Sequence, residues 1–440
     1  MDGLQFDQQI AYDLLNARPS RSPSMEYRPR LVDAELTRLL AAVGAVVIEG
    51  PRACGKTETA RRVAASELRV DTDARVAPAM AVDPSLLLDG RPPQLLDEWQ
   101  VQPELWNHVR RAVDDRHQPG QFILTGSATP DDDARRHSGA GRFARIRMRP
   151  MSLFETGHST GALRLGDLLA GNRVAASGPD LALADIIERL LIGGWPGLQG
   201  AAPAEATRVL RDYLTTIREV DIDRVVRGRR DPRRVGRVIA SLARNTATEA
   251  SLATLTRDSG QDGEPLARNT VDEYLDVLQR LMVVEDQPAW STHLRSSATL
   301  RKTPKRHFVD PSLAAAALGA TSERLLADLN SLGLLFESLV VRDLRVYAQA
   351  HGGEVLHYRD STGLEVDAIV STDDGRWGAA EVKLGAGQIE DAARNLLRFR
   401  DRIDTSRSGT PAFLAVITPS GLGYTRPDGV SVVPLGALGP

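Results

Sequence analysis

Apolar positions along this chain follow two periods, and the order in which they alternate outlines an architecture. Ala45-Val46-Val47-Ile48 is a continuous apolar run, as in a strand buried on both faces, and the helix-forming stretch Glu58 to Leu68 follows it. A second short strand, Gln94 to Leu96, ends in Asp97-Glu98. Pro103 to His117 sets Leu105, Trp106, Val109 and Val113 on one side of a helix, and Gln121 to Leu124 is again strand-like before Thr125-Gly126-Ser127. Strand, helix, strand, helix, strand is the order of a doubly wound α/β sheet.

Downstream the pattern changes. Arginines alternate with apolar residues from Arg142 to Arg149, which predicts an exposed strand with a polar face. Residues 156 to 180 are rich in Gly, Ala and Ser and read as a connector. From Leu181 to Arg244 the pattern is helical, with Leu181, Leu183, Ile186, Ile187, Leu190 and Leu191 in one stripe and Tyr213, Leu214 and Ile217 in another. Val235 to Asp310 reads as three short helices and a small hairpin, the order of a winged helix. Its helix at Asn269 opens with Asp272 and Glu273, which repel phosphates, so a packing or protein-contact unit is expected rather than a reader of DNA. A helix from Leu334 to Gln349 then precedes strands at Tyr358 to Val370 and Ala379 to Lys383.

Composition narrows the class. The 55 basic and 58 acidic residues leave a net charge of −3, so no global field steers the chain to nucleic acid and any such contact has to be local. At 440 residues, two to four domains of about 100–200 residues are expected. The hydrophobic fraction is 42%, yet no apolar run approaches the roughly 18–20 residues of a membrane helix. Met1 to Ser24 carries acids and lacks the apolar centre of a secretory signal. With a single cysteine, Cys54, these features predict a cytoplasmic protein without a membrane partner.

The chemistry begins between the first strand and helix. Gly50-Pro51-Arg52-Ala53-Cys54-Gly55-Lys56-Thr57 completes the G-x-x-x-x-G-K-[ST] pattern at a strand-to-helix turn. There the glycines let backbone N–H groups wrap a phosphate chain and the helix N-terminus adds positive charge. Lys56 is expected to reach the β/γ-phosphates and Thr57 to hold Mg²⁺, so ATP and Mg²⁺ are the expected ligands. Asp97 suits orientation of Mg²⁺ and Glu98 polarisation of the attacking water. Thr125 and Ser127, at the end of a strand expected between the other two, are both candidates for sensing the γ-phosphate. Arg142, beside Gly141, is the first candidate for an arginine finger acting on an ATP bound by a neighbouring subunit, although the run also fits a solvated strand face. Cys54 sits where Lys56 and the helix N-terminus favour a thiolate, so its oxidation would block the loop; a small residue filling a loop position is the simpler reading. Arg224, Arg227, Arg229, Arg230, Arg233 and Arg234 fit a solvated helix end better than a phosphate contact.

These motifs also occur in a recognisable order. Tyr27-Arg28-Pro29-Arg30-Leu31, GPRACGKT, LLDEWQ, FILTGSA, GRF and Pro150-Met151-Ser152-Leu153-Phe154-Glu155 together resemble the prokaryotic AAA-type ATPases of the AAA+ superfamily that carry a C-terminal domain of unknown function. Gly193-Gly194-Trp195-Pro196 and Lys305-Arg306-His307-Phe308-Val309-Asp310 resemble further signatures of that family, Trp195 standing where a tyrosine or phenylalanine is usual. The resemblance runs from about Tyr27 to Lys383. It implies an AAA-like core and assembly as a homo-oligomer, with a ring as one form, which composition does not show. The expected fold is therefore α/β: a tail at 1–30, a P-loop ATPase core at 31–155, a helical lid at 156–234, a winged-helix-like module at 235–325 and a nuclease-like α/β domain at 326–440.

In that last domain, alternation puts Glu365 and Asp367 on one strand face, and Glu381 and Lys383 on one face of the next. An aspartate followed by Glu-x-Lys on an adjacent strand is similar to the PD-(D/E)xK nucleases. The similarity implies that Asp367 and Glu381 bind Mg²⁺, that Lys383 activates water or stabilises the developing charge, and that Glu337 on the preceding helix completes the set. The same residues also fit a salt bridge between strands, and a fold does not fix an activity. Two functions follow. One is an Mg²⁺-dependent ATPase coupling hydrolysis to conformational change, with a C-terminal domain that binds or cleaves nucleic acid. The other is a nucleotide-switched regulatory or scaffolding protein, contacting protein partners, whose C-terminal site is inactive.

Overall fold

The apolar runs before the phosphate loop, before Asp97 and before Thr125 become neighbours in one parallel sheet. A computed structural model describes residues 27–127, 139–177, 181–222, 230–261, 263–291 and 303–440. Five strands, β1 (Ala45–Glu49), β2 (Ser66–Arg69), β3 (Gln94–Asp97), β4 (Phe122–Gly126) and β5 (Phe143–Arg147), lie in the order β2-β3-β4-β1-β5, and every pair is parallel. Successive side chains of a strand leave opposite faces. Val47, Leu96 and Leu124 therefore join Trp99, Leu105, Trp106 and Val109 on one side, while Val46, Ile48, Leu95 and Ile123 join Leu36, Leu40 and Ala60 on the other. Both faces are covered, which explains the unbroken apolar runs.

Two stretches depart from the sequence expectation. The helix expected from Glu58 to Leu68 ends at Arg61, and Ser66–Arg69 forms β2 at the sheet edge instead. Only Leu68 in that strand is buried, so it carries too little apolar signal to stand out from the preceding helix. The expected connector at 156–180 does more than connect. Its β6 (Leu163–Arg164) pairs with β16 (Leu438–Gly439), and its β7 (Ala175–Ser177) covers the edge strand β14 (Leu422–Thr425) of the C-terminal sheet. An edge strand exposes unpaired backbone groups, and a distant segment can satisfy them without any local pattern.

The middle of the chain is helical: Leu183–Ile192, Pro203–Thr216, Pro232–Arg244, Leu252–Asp258 and Arg268–Arg280. An antiparallel pair follows, β8 (Val284–Gln287) with β9 (Lys305–Phe308), and then the helix Pro311–Leu318. The 22-residue helix Leu329–Ala350 leads into the C-terminal sheet. Its remaining strands are β10 (Gly353–Arg359), β11 (Glu365–Thr372), β12 (Trp377–Val382), β13 (Phe413–Thr418) and β15 (Ser431–Pro434), in the order β10-β11-β12-β13-β15-β14-β7. One apolar cluster continues from Leu153 through the helical segments, Phe308 and the long helix to Leu438. The helical segments downstream of the first sheet and one face of the C-terminal sheet thus share a core, with the long helix inside it, and the other face of that sheet packs a separate cluster around Trp377 and Phe399. No helix among the described residues is long and apolar enough to cross a membrane.

Candidate functional site

Parallel pairing brings the chemistry to one end of the first sheet. Asp97 lies beside Thr125 in register, and Thr125 beside Ile48, two residues before Gly50. The phosphate loop leaves β1 there, with Ala53 (φ 62°) and Gly55 (φ 104°) in left-handed conformations that curl the backbone into a cradle. Thr57 Oγ1 donates to Asp97 Oδ1 at 2.8 Å, and Thr125 Oγ1 donates to the same oxygen at 2.5 Å. Lys56 is buried, its Nζ donating to the carbonyls of Gly50 (2.9 Å) and Pro51 (2.8 Å). Glu98, also left-handed at φ 55°, accepts from Ser127 Oγ at 3.3 Å and from Gln100 Nε2. Lys56, Thr57, Asp97, Glu98, Thr125 and Ser127 are thus brought together. The two hydroxyls left as alternatives touch different carboxylates, Thr125 the aspartate and Ser127 the glutamate.

Residues from outside the motif hold the loop. Arg30 is buried and donates to the carbonyls of Cys54 (2.8 Å) and Arg149 (2.7 Å) and to Glu155 Oε1 (3.0 Å), tying the loop to the exit of β5. Arg52 pairs with Asp221 of the helical region at 2.7 Å. Gly194 packs so closely on Met151 that a β-carbon would lie 2.0 Å from its carbonyl oxygen, and the next turn brings Pro196 against Gly55. Asp310 holds that turn by accepting from the Gly194 N–H at 3.0 Å, and Trp195 Nε1 donates to Ser312 Oγ at 3.0 Å. Cys54 is fully buried with Sγ 3.7 Å from the Met148 carbonyl, a packed position.

Arg142 lies apart from this site. It precedes β5, whose first residue pairs with the first residue of β1, so it sits at the opposite sheet end, roughly 15 Å of strand from the loop. Its guanidinium is exposed and pairs with Asp114 at 2.8 Å. Any role at a phosphate would therefore be on another molecule. Of the later arginine run, Arg224, Arg227 and Arg229 lie outside the described residues, as do residues 1–26 of the expected tail. Arg230 pairs with Glu273.

The C-terminal carboxylates also converge. The β11–β12 ladder ends at Ala368 opposite Ala380, and beyond it Asp367 uses its side chain in place of the ladder, accepting from the Val382 N–H at 2.9 Å. Lys383 Nζ is 3.2 Å from Asp367 Oδ2 and 2.6 Å from Glu381 Oε2, and Asn395 Nδ2 donates to Glu381 Oε1 at 2.7 Å. A second lysine, Lys305 from β9, lies 2.7 Å from Glu337, 3.2 Å from Glu365 and 3.4 Å from Asp367. Burial and the Asp367 charge push the carboxyls of Glu337 and Glu381 up to about 8. Burial also acts to raise Asp367, but Lys305 and Lys383 outweigh it and hold that group near 2. Among the described residues, no group of three or more His, Cys, Asp or Glu side chains is arranged to hold a metal ion. Arg30, Asp221 and Lys305 were not singled out from the sequence. Arg30 and Lys305 stand inside stretches that carried the family resemblance; nothing local marks Asp221.

Comparison with known proteins supports an AAA domain around the phosphate loop. Residues 43–157 match an AAA domain, residues 183–324 a domain of unknown function (DUF8612), and residues 332–438 another domain of unknown function (DUF4143). Two mycobacterial relatives, the uncharacterized proteins Rv2008c of Mycobacterium tuberculosis and Mb2031c of Mycobacterium bovis, are each 26% identical over 426 residues, covering 96% of this chain and 86% of theirs. Among solved structures, the Walker-type ATPase PABY2304 of Pyrococcus abyssi aligns over 67% of this chain and 99% of its own, with a TM-score of 0.40 and 12% identity. The segment that carries the phosphate loop, Asp97-Glu98 and Thr125 is the segment that is similar to AAA domains.

Proposed function

We propose that this protein binds and hydrolyses ATP at the C-terminal end of its parallel sheet. The observation that carries the reading is the Asp97 carboxylate held between the Thr57 and Thr125 hydroxyls, with Glu98 alongside and Lys56 in the loop. The donor set fits a nucleotide with Mg²⁺. Thr57 and Asp97 are oxygen ligands of the kind that ion takes, and the loop N–H groups and Lys56 suit phosphate oxygens. Bound Mg²⁺ would neutralise charge on the β- and γ-phosphates. Lys56, now on the Gly50 and Pro51 carbonyls, exchanges those neutral partners for phosphate oxygens. Glu98, oriented by Ser127 and Gln100, is the base that orients and polarises the attacking water. The turn containing Pro196 and the Arg52–Asp221 pair connect the loop to the helical region, a direct route from nucleotide state to domain arrangement.

ATP turnover by the purified protein tests the reading, with Lys56→Ala and Glu98→Gln as controls. Turnover that survives Lys56→Ala removes the phosphate loop from the reaction. For the C-terminal cluster, convergence of Asp367, Glu381, Lys383 and Glu337 supports a nuclease-like site. The presence of Lys305 among those carboxylates favours the second reading, in which nucleotide state switches a contact between modules or with a partner and the cluster does not cleave nucleic acid. Assembly into a homo-oligomer, with Arg142 reaching a neighbour's ATP, belongs to the same proposal. An Arg142→Ala chain that hydrolyses ATP as fast as the parent at every protein concentration would remove that part.

A further inference from the structure

Lys305 stands at the centre of a site formed by two modules. Its ammonium has oxygens of three carboxylates within 3.4 Å, from Glu337 on the long helix and from Glu365 and Asp367 on β11, and its side chain is only 3% exposed. Three carboxylate oxygens around one centre form the ligand set that a hard divalent cation takes, at about 2.0–2.6 Å. Here the centre is a nitrogen at 2.7–3.4 Å. The second lysine, Lys383, covers the other side, contacting the remaining Asp367 oxygen and Glu381.

The hairpin that delivers Lys305 is held independently of this contact. Gln287, opposite Lys305 in the β8–β9 register, donates through Nε2 to the carbonyls of Asp367 (3.0 Å) and Leu356 (2.9 Å). His307, two residues after Lys305 on the same strand face, bridges Gln287 Oε1 (3.0 Å) and Ser338 Oγ (3.1 Å), the residue after Glu337. The backbone beside Asp367 and the helix turn beside Glu337 therefore both grip the hairpin. The ammonium is built into the cluster, unlike a long side chain that settles on a surface acid.

We propose that Lys305 is the resident cation of the C-terminal carboxylate cluster and that, through it, the middle module keeps the cluster closed to divalent metal. The inference rests on the second reading of that cluster and is independent of ATP hydrolysis. A displacement of β9 that withdraws Lys305 would leave three carboxyl groups around a vacated space, with Lys383 covering only the far side of Asp367, and a divalent cation would fill it. The position joins a segment that matches one domain of unknown function to a segment that matches another.

Mn²⁺ binding to the nucleotide-free full chain, read from the electron paramagnetic resonance of the free ion, tests this. The parent, Asp367→Asn, Lys305→Met and Lys305→Met/Asp367→Asn chains are compared. The parent and Asp367→Asn should bind Mn²⁺ alike, since weak binding by Thr57 and Asp97 is common to both. Lys305→Met should gain a site at least about tenfold tighter, lost again in the double variant. If Lys305→Met does not fold, Lys305→Gln, which keeps a donor toward Glu337, takes its place. A site present in the parent and lost in Asp367→Asn overturns the proposal without any Lys305 variant, and so does a Lys305 variant that folds and gains no Asp367-dependent site. Nucleic acid cleavage with Mn²⁺ by the parent would separately sink the reading of an inactive cluster, whereas cleavage only by the Lys305 variant would leave the proposal standing.

Discussion

Replacing Arg342 by methionine should destabilise the protein more than any single change at the nucleotide site, and the structure sets the size of the effect. The Arg342 side chain is 2% exposed, and its two partners, Asp310 and Asp343, are 0% exposed. It donates to Asp310 Oδ2 at 2.8 Å and twice to Asp343 Oδ1, at 2.9 and 2.6 Å. Removing one partner of a buried ion cluster costs about 3–5 kcal/mol, because the remaining charges are left in a poorly solvating interior. Other donors moderate that here. Asp310 keeps Gly194 N–H, Ser312 N–H and Ser312 Oγ, and Asp343 keeps Leu153 N–H at 3.0 Å and Tyr347 OH at 3.4 Å. The lower end, about 3 kcal/mol, is therefore expected, read from the urea midpoint at constant slope. Burial already raises the Asp343 carboxyl, with Arg342 opposing it. Without Arg342 that carboxyl rises further, so the variant's folded state gains a proton at mildly acidic pH. Its deficit should shrink as pH falls from 8 to 5. The variant Asp310→Asn/Arg342→Met/Asp343→Asn removes all three charges. The amide oxygen replacing the Asp343 carboxylate can still accept from Leu153 N–H and Tyr347 OH, whereas the amide replacing that of Asp310 keeps one oxygen for the donors of Gly194 and Ser312, so part of the loss should be recovered. A single variant that loses less than about 1 kcal/mol, or a triple variant no better than the single, refutes the reasoning.

Other consequences are equally direct. Glu98→Gln should lower ATP turnover by about 10²–10⁴-fold with little change in nucleotide affinity, and a parent-like rate would remove Glu98 as the base. Thr125→Val should slow turnover and weaken Mg²⁺ dependence, since its hydroxyl shares Asp97 Oδ1 with Thr57; Ser127→Ala should slow turnover without touching Mg²⁺ dependence, since its partner is Glu98. Equal Mg²⁺ titrations for the two would contradict this division. Glu337 and Glu381 hold their protons up to about pH 8 in the folded protein, against an ordinary value of 4.5. The stability this contributes is complete below pH 4.5 and is lost as pH rises through about 8. Thermal melting temperature should accordingly fall between pH 5 and 9, and Glu337→Gln should flatten that fall; an unchanged slope would show that Glu337 does not take part.

Much of the first sheet could be read from residues alone, because a strand buried on both faces leaves an unbroken apolar run and a phosphate loop needs a fixed local spacing. The runs at Ala45, Gln94 and Gln121 became β1, β3 and β4, and Thr125 emerged on the strand between β3 and β1 as expected. β2 escaped because an edge strand with one buried residue has no period to detect. In the C-terminal sheet β13, β14 and β15 were not read, whereas the strands that carry the carboxylates, β11 and β12, were legible from local alternation. Pairing across the chain was not: β7 reaches β14 across more than two hundred residues, and no local pattern records that.

The division is clearest at the two clusters. Local spacing along the chain determined the phosphate loop, the Asp97-Glu98 pair and the Asp367, Glu381, Lys383 trio, since each depends on neighbours within one strand, one turn or one hairpin. Only the tertiary structure decided that Arg30 and Asp221 hold the loop and that Lys305 enters the carboxylate cluster. Those contacts are fixed by how apolar faces dock, and a charge carried to its partner by docking leaves no periodic trace in the sequence.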